Sequence, residues 1–277
     1  MTIVKVRKFF INAAGFALAL TLVTPASDAA SGTTTAKKDE VVPSWTDKIR
    51  LSYYGEFEGP AIGAFTSRKP TARGEQGDPI DLYNSVSLGY MVGDGYKLYA
   101  QGRAQINAEG GNTLQGVNPR IGISKGDLIK IGDFSVFANL TNQFSVFSGD
   151  YWLAPGSFQI TSLPLGRFTL GTYSDMRAFF YRGPVGTGKN DLALYLAPYV
   201  NYKLTPTLAA SAWYEMAAVH KGGQGLTFDD DGTNLSLGMS WDLSEKFNLT
   251  PYLRMYTGDV VSLESTQFLM QISATIL

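Results

Sequence analysis

Apolar and polar residues alternate with period two over stretch after stretch of this chain, and no helical period is sustained anywhere after its first thirty residues. Strict alternation over about ten residues describes a strand with one apolar face and one polar face. Between Lys48 and Glu58, Ile49, Leu51, Tyr53 and Phe57 share a face opposite Arg50, Ser52, Tyr54 and Glu56. Ile80, Leu82, Val86, Leu88, Tyr90 and Val92 oppose Asp81, Tyr83, Ser85 and Ser87. The same holds for Tyr96–Ala108, Leu192–Tyr202, Leu235–Leu243, Phe247–Met255 and the final run from Gln267 to Ile276. Weaker candidates near 117–124, 133–144, 157–163, 167–181 and 208–220 bring the expected total to about twelve strands.

The connections alternate too. Short ones are expected near Gly93–Gly95, Lys125–Gly132, Pro164–Gly166, Thr205–Thr207 and Ser244–Lys246. Long ones fall near 59–79, 109–116, 145–156, 182–190, 221–233 and 257–264. A soluble sandwich hides its apolar face against a second sheet and has no reason to put every long loop at one end. A membrane barrel turns that face to lipid, keeps a polar lumen, and separates short turns from long loops. Tyr96, Phe134, Phe168, Tyr202, Trp241 and Phe247 take the outward parity beside short turns, while Phe57, Phe180, Tyr214 and Phe268 take it near long loops. Two aromatic belts at opposite strand ends suit the two membrane interfaces. The expected fold is an all-β, antiparallel, up-and-down transmembrane barrel over residues 45–277.

Before it, Lys5, Arg7 and Lys8 precede the apolar stretch Phe9–Val23, and small residues around Ser27 and Ala29 suit cleavage after Ala29. Residues 1–29 therefore read as a cleavable export signal. Residues 30–44, small, polar and charged, read as a flexible periplasmic leader.

Composition narrows the chemistry. The chain has no cysteine and one histidine, so thiolate metal sites, disulfides, cysteine nucleophiles and two-histidine zinc motifs are excluded. A net charge of −1 gives no electrostatic case for nucleic acid as a partner. Gly183-Pro-Val-Gly-Thr-Gly-Lys189-Asn190 falls short of a phosphate-binding loop, because Asn190 stands where a magnesium-binding hydroxyl is needed and a strand follows instead of a helix. Asp229, Asp230 and Asp231 beside a glycine turn offer the oxygen ligands that calcium takes, but without the full alternating series of a calcium loop, so the choice is between a calcium site and, ahead of it, a solvated acidic loop. The Asn-x-Ser/Thr triplets at Asn139, Asn234 and Asn248 fall within strands and read as coincidence. His220, where a strand enters a long loop, must serve any histidine-dependent catalysis, with Ser211 or Ser240 as the nucleophiles to consider.

Parity assigns the lumen. The pore-lining candidates are Arg50, Tyr54, Glu56, Lys97, Tyr99, Arg103, Arg120, Arg167, Arg177, Tyr195, Tyr199, Lys203, Trp213, Glu215, Tyr252 and Arg254, with Asp81, Asp175, Asp191 and Asp242 as further inward acids. A basic side chain on the lipid face would cost about 2–4 kcal/mol at the midplane, which supports placing these charges inward. Rings of charge set pore selectivity, and the slight basic excess predicts a mild anion preference. The aromatic members offer either a surface for sugars or simple filling of a narrow barrel.

The pattern is similar to Gram-negative outer-membrane β-barrels and, in size, to the small twelve-stranded porin-like channels. Such barrels commonly end in an outward aromatic residue; here the last residue is Leu277, and the outward series stops at Ile276. The resemblance implies an outer-membrane location, contact with outer-membrane lipid and lipopolysaccharide, handling by the barrel-assembly machinery, and passive diffusion of small hydrophilic solutes, anionic or sugar-like. It implies no cofactor, no metal and no catalytic residue. The alternatives are a lipid-modifying barrel enzyme using His220, and a structural or adhesion barrel with a closed lumen.

Overall fold

The computed structural model describes residues 45–62, 80–107, 113–146, 152–182, 189–228, 233–256 and 266–277. The export signal, the leader, the Asp229–Asp231 run and most of the glycine-rich loop from Gly183 lie outside them. A short 3-10 turn, Trp45–Lys48, leads into β1 (Ile49–Ala61). There follow β2 (Asp81–Gly93), β3 (Tyr96–Asn107), β4 (Thr113–Ile131), β5 (Phe134–Phe144), β6 (Trp152–Leu165) and β7 (Phe168–Ala178). After a two-residue β8 (Phe180–Tyr181) come β9 (Asn190–Lys203), β10 (Leu208–Lys221), β11 (Leu226–Phe228), β12 (Asn234–Ser244), β13 (Phe247–Tyr256) and β14 (Thr266–Thr275).

Twelve of these form the ring. The two others are short: β8 extends the β7 arm against β6, and β11 folds back on β10. Each long strand pairs antiparallel with its chain neighbours, and β14 pairs with β1 to join the two ends of the chain. Closure leaves the twelve-strand wall without an edge, the condition for a strand-built structure in hydrocarbon. At the seam the Ile276 amide donates to the Leu51 carbonyl at 2.7 Å.

Five tight connections collect at one end, as expected. Asp94 and Gly95 both take positive φ, 47° and 76°, the geometry of a two-residue hairpin whose twist matches its strands. One connection differs from the sequence expectation. Lys125–Gly132 is not a turn: β4 runs to Ile131 and the chain reverses at Gly132–Asp133. Asp127, at φ 48°, belongs to a bulge where four residues on β4 advance against two on β5, after which Ile129 and Ile131 resume pairing with Val136 and Phe134. β6 likewise begins at Trp152, earlier than the 157–163 window.

Outward rows pair across the ring: Leu51 with Leu88, Leu88 with Ala100, Ala100 with Ile121, Leu237 with Leu253. Both aromatic belts lie on this outer face. Phe168 and Tyr202 are paired with rings 4.7 Å apart at the short-turn end, and Phe57 and Phe268 meet at 6.4 Å toward the other.

Candidate functional site: the barrel interior

Alternation leaves the second face of every strand inside the ring, and there the charged residues gather into two groups. Around the arc of β3, β4 and β7 stand Arg103, Arg120 and Arg177. A single amide links two of them: the Gln143 carbonyl oxygen accepts from Arg120 Nε at 3.2 Å and from Arg177 Nη1 at 3.0 Å. Arg177 also pairs with Asp175 at 3.1 Å, and Arg103 donates to the Asn118 carbonyl at 3.5 Å. Beside them the Tyr99 hydroxyl bonds the Asn139 amide at 3.0 Å.

The facing arc is acidic. Glu56 on β1 accepts hydrogen bonds from Tyr54, from Tyr252 at 3.3 Å and from Gln271 at 3.5 Å. Glu215 on β10 accepts from Trp213 Nε1 at 2.8 Å and from Asn234 at 3.1 Å. Arg254 answers these acids, donating to Glu58 at 3.4 Å and to the Tyr252 hydroxyl at 3.3 Å. A carboxylate taken out of water needs hydrogen-bond donors, and both glutamates have them. The two arcs meet at a cavity of about 10 Å³ lined by Tyr54, Glu56, Tyr83, Ser85 and Arg103, at the lower limit for one water molecule.

A third group fills the middle. Phe158, Ile160, Tyr173, Tyr199, Trp213, Tyr252 and Leu269 pack into one cluster, supplied by β6, β7, β9, β10, β13 and β14. Tyr173 and Tyr199 stack at 4.5 Å, and Trp213 leans on Tyr252 at 5.0 Å. Trp213 is 4% exposed, Tyr252 2% and Leu269 0%. Through its mid-depth the lumen is therefore occupied by its own side chains.

Most of the predicted wall residues are brought together here: Tyr54, Glu56, Tyr99, Arg103, Arg120, Arg177, Tyr195, Tyr199, Trp213, Glu215, Tyr252 and Arg254. Four lie elsewhere. Arg167 is an exposed residue of the Gly166–Arg167 turn, outside the wall altogether, because β6 extends to Leu165 and β7 starts at Phe168. Arg50 and Lys203 sit at the short-turn mouth, both exposed, with Arg50 folded back on the Asp47 carbonyl at 2.7 Å. Lys97 is near the same mouth, its ammonium 5.8 Å from the Tyr99 ring.

Sequence reasoning missed the uncharged partners. Parity puts Gln271, Asn234 and Asn248 on polar strand faces but names no charge for them to meet, and it assigns no role to Gln143 or Tyr173. Asn248 donates to Ser240 at 2.9 Å and to Asp242 at 2.7 Å. Their inward parity was legible; which charge each would meet depended on neighbouring strands.

His220 is at the long-loop rim with outward parity, paired with Leu192. Its Nδ1 is 2.5 Å from Asp191, and both side chains are more than a third exposed. Ser211 is on the same strand nine residues away, about 30 Å of extended chain, and Ser240 pairs with Ala209 farther down. Neither can serve it as a nucleophile.

No family model matches the chain, and no curated protein matches its sequence. Solved structures resemble it in architecture. A NanC porin aligns over 82% of this chain and 100% of its own, at 8% identity and a TM-score of 0.47. A KdgM porin covers 82% and 99%, at 11% identity and 0.44. A loop-deletion mutant of OmpT, an outer membrane protein of Vibrio cholerae, covers 82% and 98%, at 10% identity and 0.43. What the residues themselves establish is a closed, twelve-stranded antiparallel membrane barrel with an apolar outer wall and opposed charges inside.

Proposed function

We propose that this protein is an outer-membrane channel for passive diffusion of small hydrophilic solutes, with anionic solutes favoured. The observation that carries the reading is the interior itself: three arginines on one arc face two buried glutamates on the other, within a barrel whose outer wall is apolar. Opposed charges set up a field across the lumen, and a field of that kind orients a dipolar solute and selects by sign. The aromatic cluster then acts as a constriction, and passage requires rotation of rings such as Tyr173 and Trp213. Export through residues 1–29, assembly by the barrel machinery, and contact with outer-membrane lipid and lipopolysaccharide belong to the same proposal.

A second reading rests on the same cluster. A barrel of twelve strands is near the size that side chains can fill, and a closed lumen would leave the long loops to carry a structural or adhesive function. Catalysis has less support, since the His220–Asp191 pair has neither candidate serine within reach.

Planar-bilayer recording of the refolded chain, residues 30–277, separates the readings. A channel gives discrete openings with a reversal potential on the anion side across a salt gradient, and Arg103→Glu moves that potential toward cations. A folded, silent barrel refutes the channel and leaves the closed structure.

A further inference from the structure

Among the described residues, a polar patch interrupts the apolar outer wall on β6 and β7. On β6 and β7 the outward rows are Ser157, Gln159 and Thr161, paired with Met176, Ser174 and Thr172. Asn142 on β5 extends the patch, and its side-chain oxygen is buried with no hydrogen-bond partner. Thr161 and Thr172 satisfy each other at 2.9 Å, but the Gln159 side chain projects outward and is exposed. Gln159 stands six residues from Leu165 at the short-turn end of a 14-residue strand, which is mid-wall. Elsewhere the outward rows of β2 and β3 present Val86, Leu88, Leu98 and Ala100, and the one amide among them, Asn84, accepts the Tyr53 hydroxyl at 2.7 Å.

We propose that this β6–β7 stripe is the contact between two copies of the chain, side by side in one membrane. Hydrocarbon offers an amide no hydrogen-bond partner, so an exposed Gln at mid-depth calls for a protein surface. Copies inserted in the same sense are related by rotation about the membrane normal, which brings residues of equal depth together. A glutamine carries both donors and an acceptor, and hydroxyls do the same, so the stripe is complementary to itself across a two-fold axis. A head-to-tail ring would set the stripe against an apolar row and leave it unsatisfied. The inference requires only that the outer wall faces lipid; a silent bilayer recording leaves it standing.

The chain has no cysteine, so single-cysteine variants report position cleanly. Ser157→Cys, which keeps Gln159, and, on the outward row of the distant β13, Leu253→Cys are refolded into phosphatidylcholine vesicles at low protein-to-lipid ratio and oxidised with copper phenanthroline. Folding of each is verified by its heat-modifiable gel mobility. The expected result is a disulfide-linked dimer from Ser157→Cys and only monomer from Leu253→Cys. Leu163→Cys on the same β6 row is read instead if Ser157→Cys fails to fold. Equal cross-linking from both walls, or monomer from both folded variants, overturns the proposal, as does a purely monomeric wild type in sedimentation equilibrium.

Discussion

Strands β2 and β6 have nearly equal lengths, 13 and 14 residues, and cross the same wall, yet they turn opposite chemistry toward it. β2 points Leu82, Val86, Leu88 and Tyr90 outward and keeps Ser85 and Ser87 inside, both buried. β6 does the reverse, burying Phe158 and Ile160 in the lumen while Ser157, Gln159 and Thr161 face out. A one-residue slip would turn β6 over, but its neighbours hold the register. On one side Gln159 pairs with Ala138 of β5, and on the other Leu165 must meet Phe168 across the Gly166–Arg167 turn. In this register position 171 of β7 admits only glycine: a Cβ there would come within 2.0 Å of the Thr161 carbonyl and 2.5 Å of the Tyr199 ring. In a closed ring, then, the face a strand presents belongs to the ring before it belongs to the strand.

The largest effect expected from this contrast is at Phe158. Phe158→Ala removes a ring from a buried cluster and should cost about 3–5 kcal/mol, read by urea unfolding of the micelle-embedded barrel. Val86→Ala on the outer face of β2 should cost far less, because lipid or detergent closes over the missing methyls. Equal costs would mean that β6 does not bury its apolar face in the lumen.

Next come polarity changes on the outer wall. Leu88→Arg should lower stability in bilayers by about 2–4 kcal/mol, the penalty for a cation on the lipid face. Gln159→Leu at the corresponding surface of β6 should leave the folded monomer as stable as wild type or more so, since it replaces an amide in hydrocarbon with an apolar group. A large loss of monomer stability in that variant would show that the amide serves the fold of one chain. The smallest effect is expected at the rim, where His220→Ala should change stability by less than about 0.5 kcal/mol, as exposed ion pairs contribute little. Unfolding of the two proteins under identical conditions measures it.

Much of this was legible in the chain. In β2, β3, β12 and β13 apolar and polar residues are cleanly separated, so strand, face and aromatic belt all followed from spacing. β6 resisted because Phe158 and Ile160 alternate with Gln159 and Thr161 as cleanly as any other strand, and nothing local says which set meets lipid. β4 resisted because Gly126 and Asp127 suit a bulge as well as a turn. Arg167 was placed in the wall because a parity count does not register where a hairpin ends.

By itself, the sequence determined the barrel class, the strand number, the alternation of short and long connections, and the segregation of charge from lipid. Those follow from period two and from the cost of placing charge in hydrocarbon, both local to each strand. Only the tertiary structure decided that β6 turns its apolar face inward, that Gln143 joins Arg120 to Arg177, and that side chains from six strands pack together in the lumen. Those depend on which strands become neighbours and in what register, a property of the closed ring that no single strand contains.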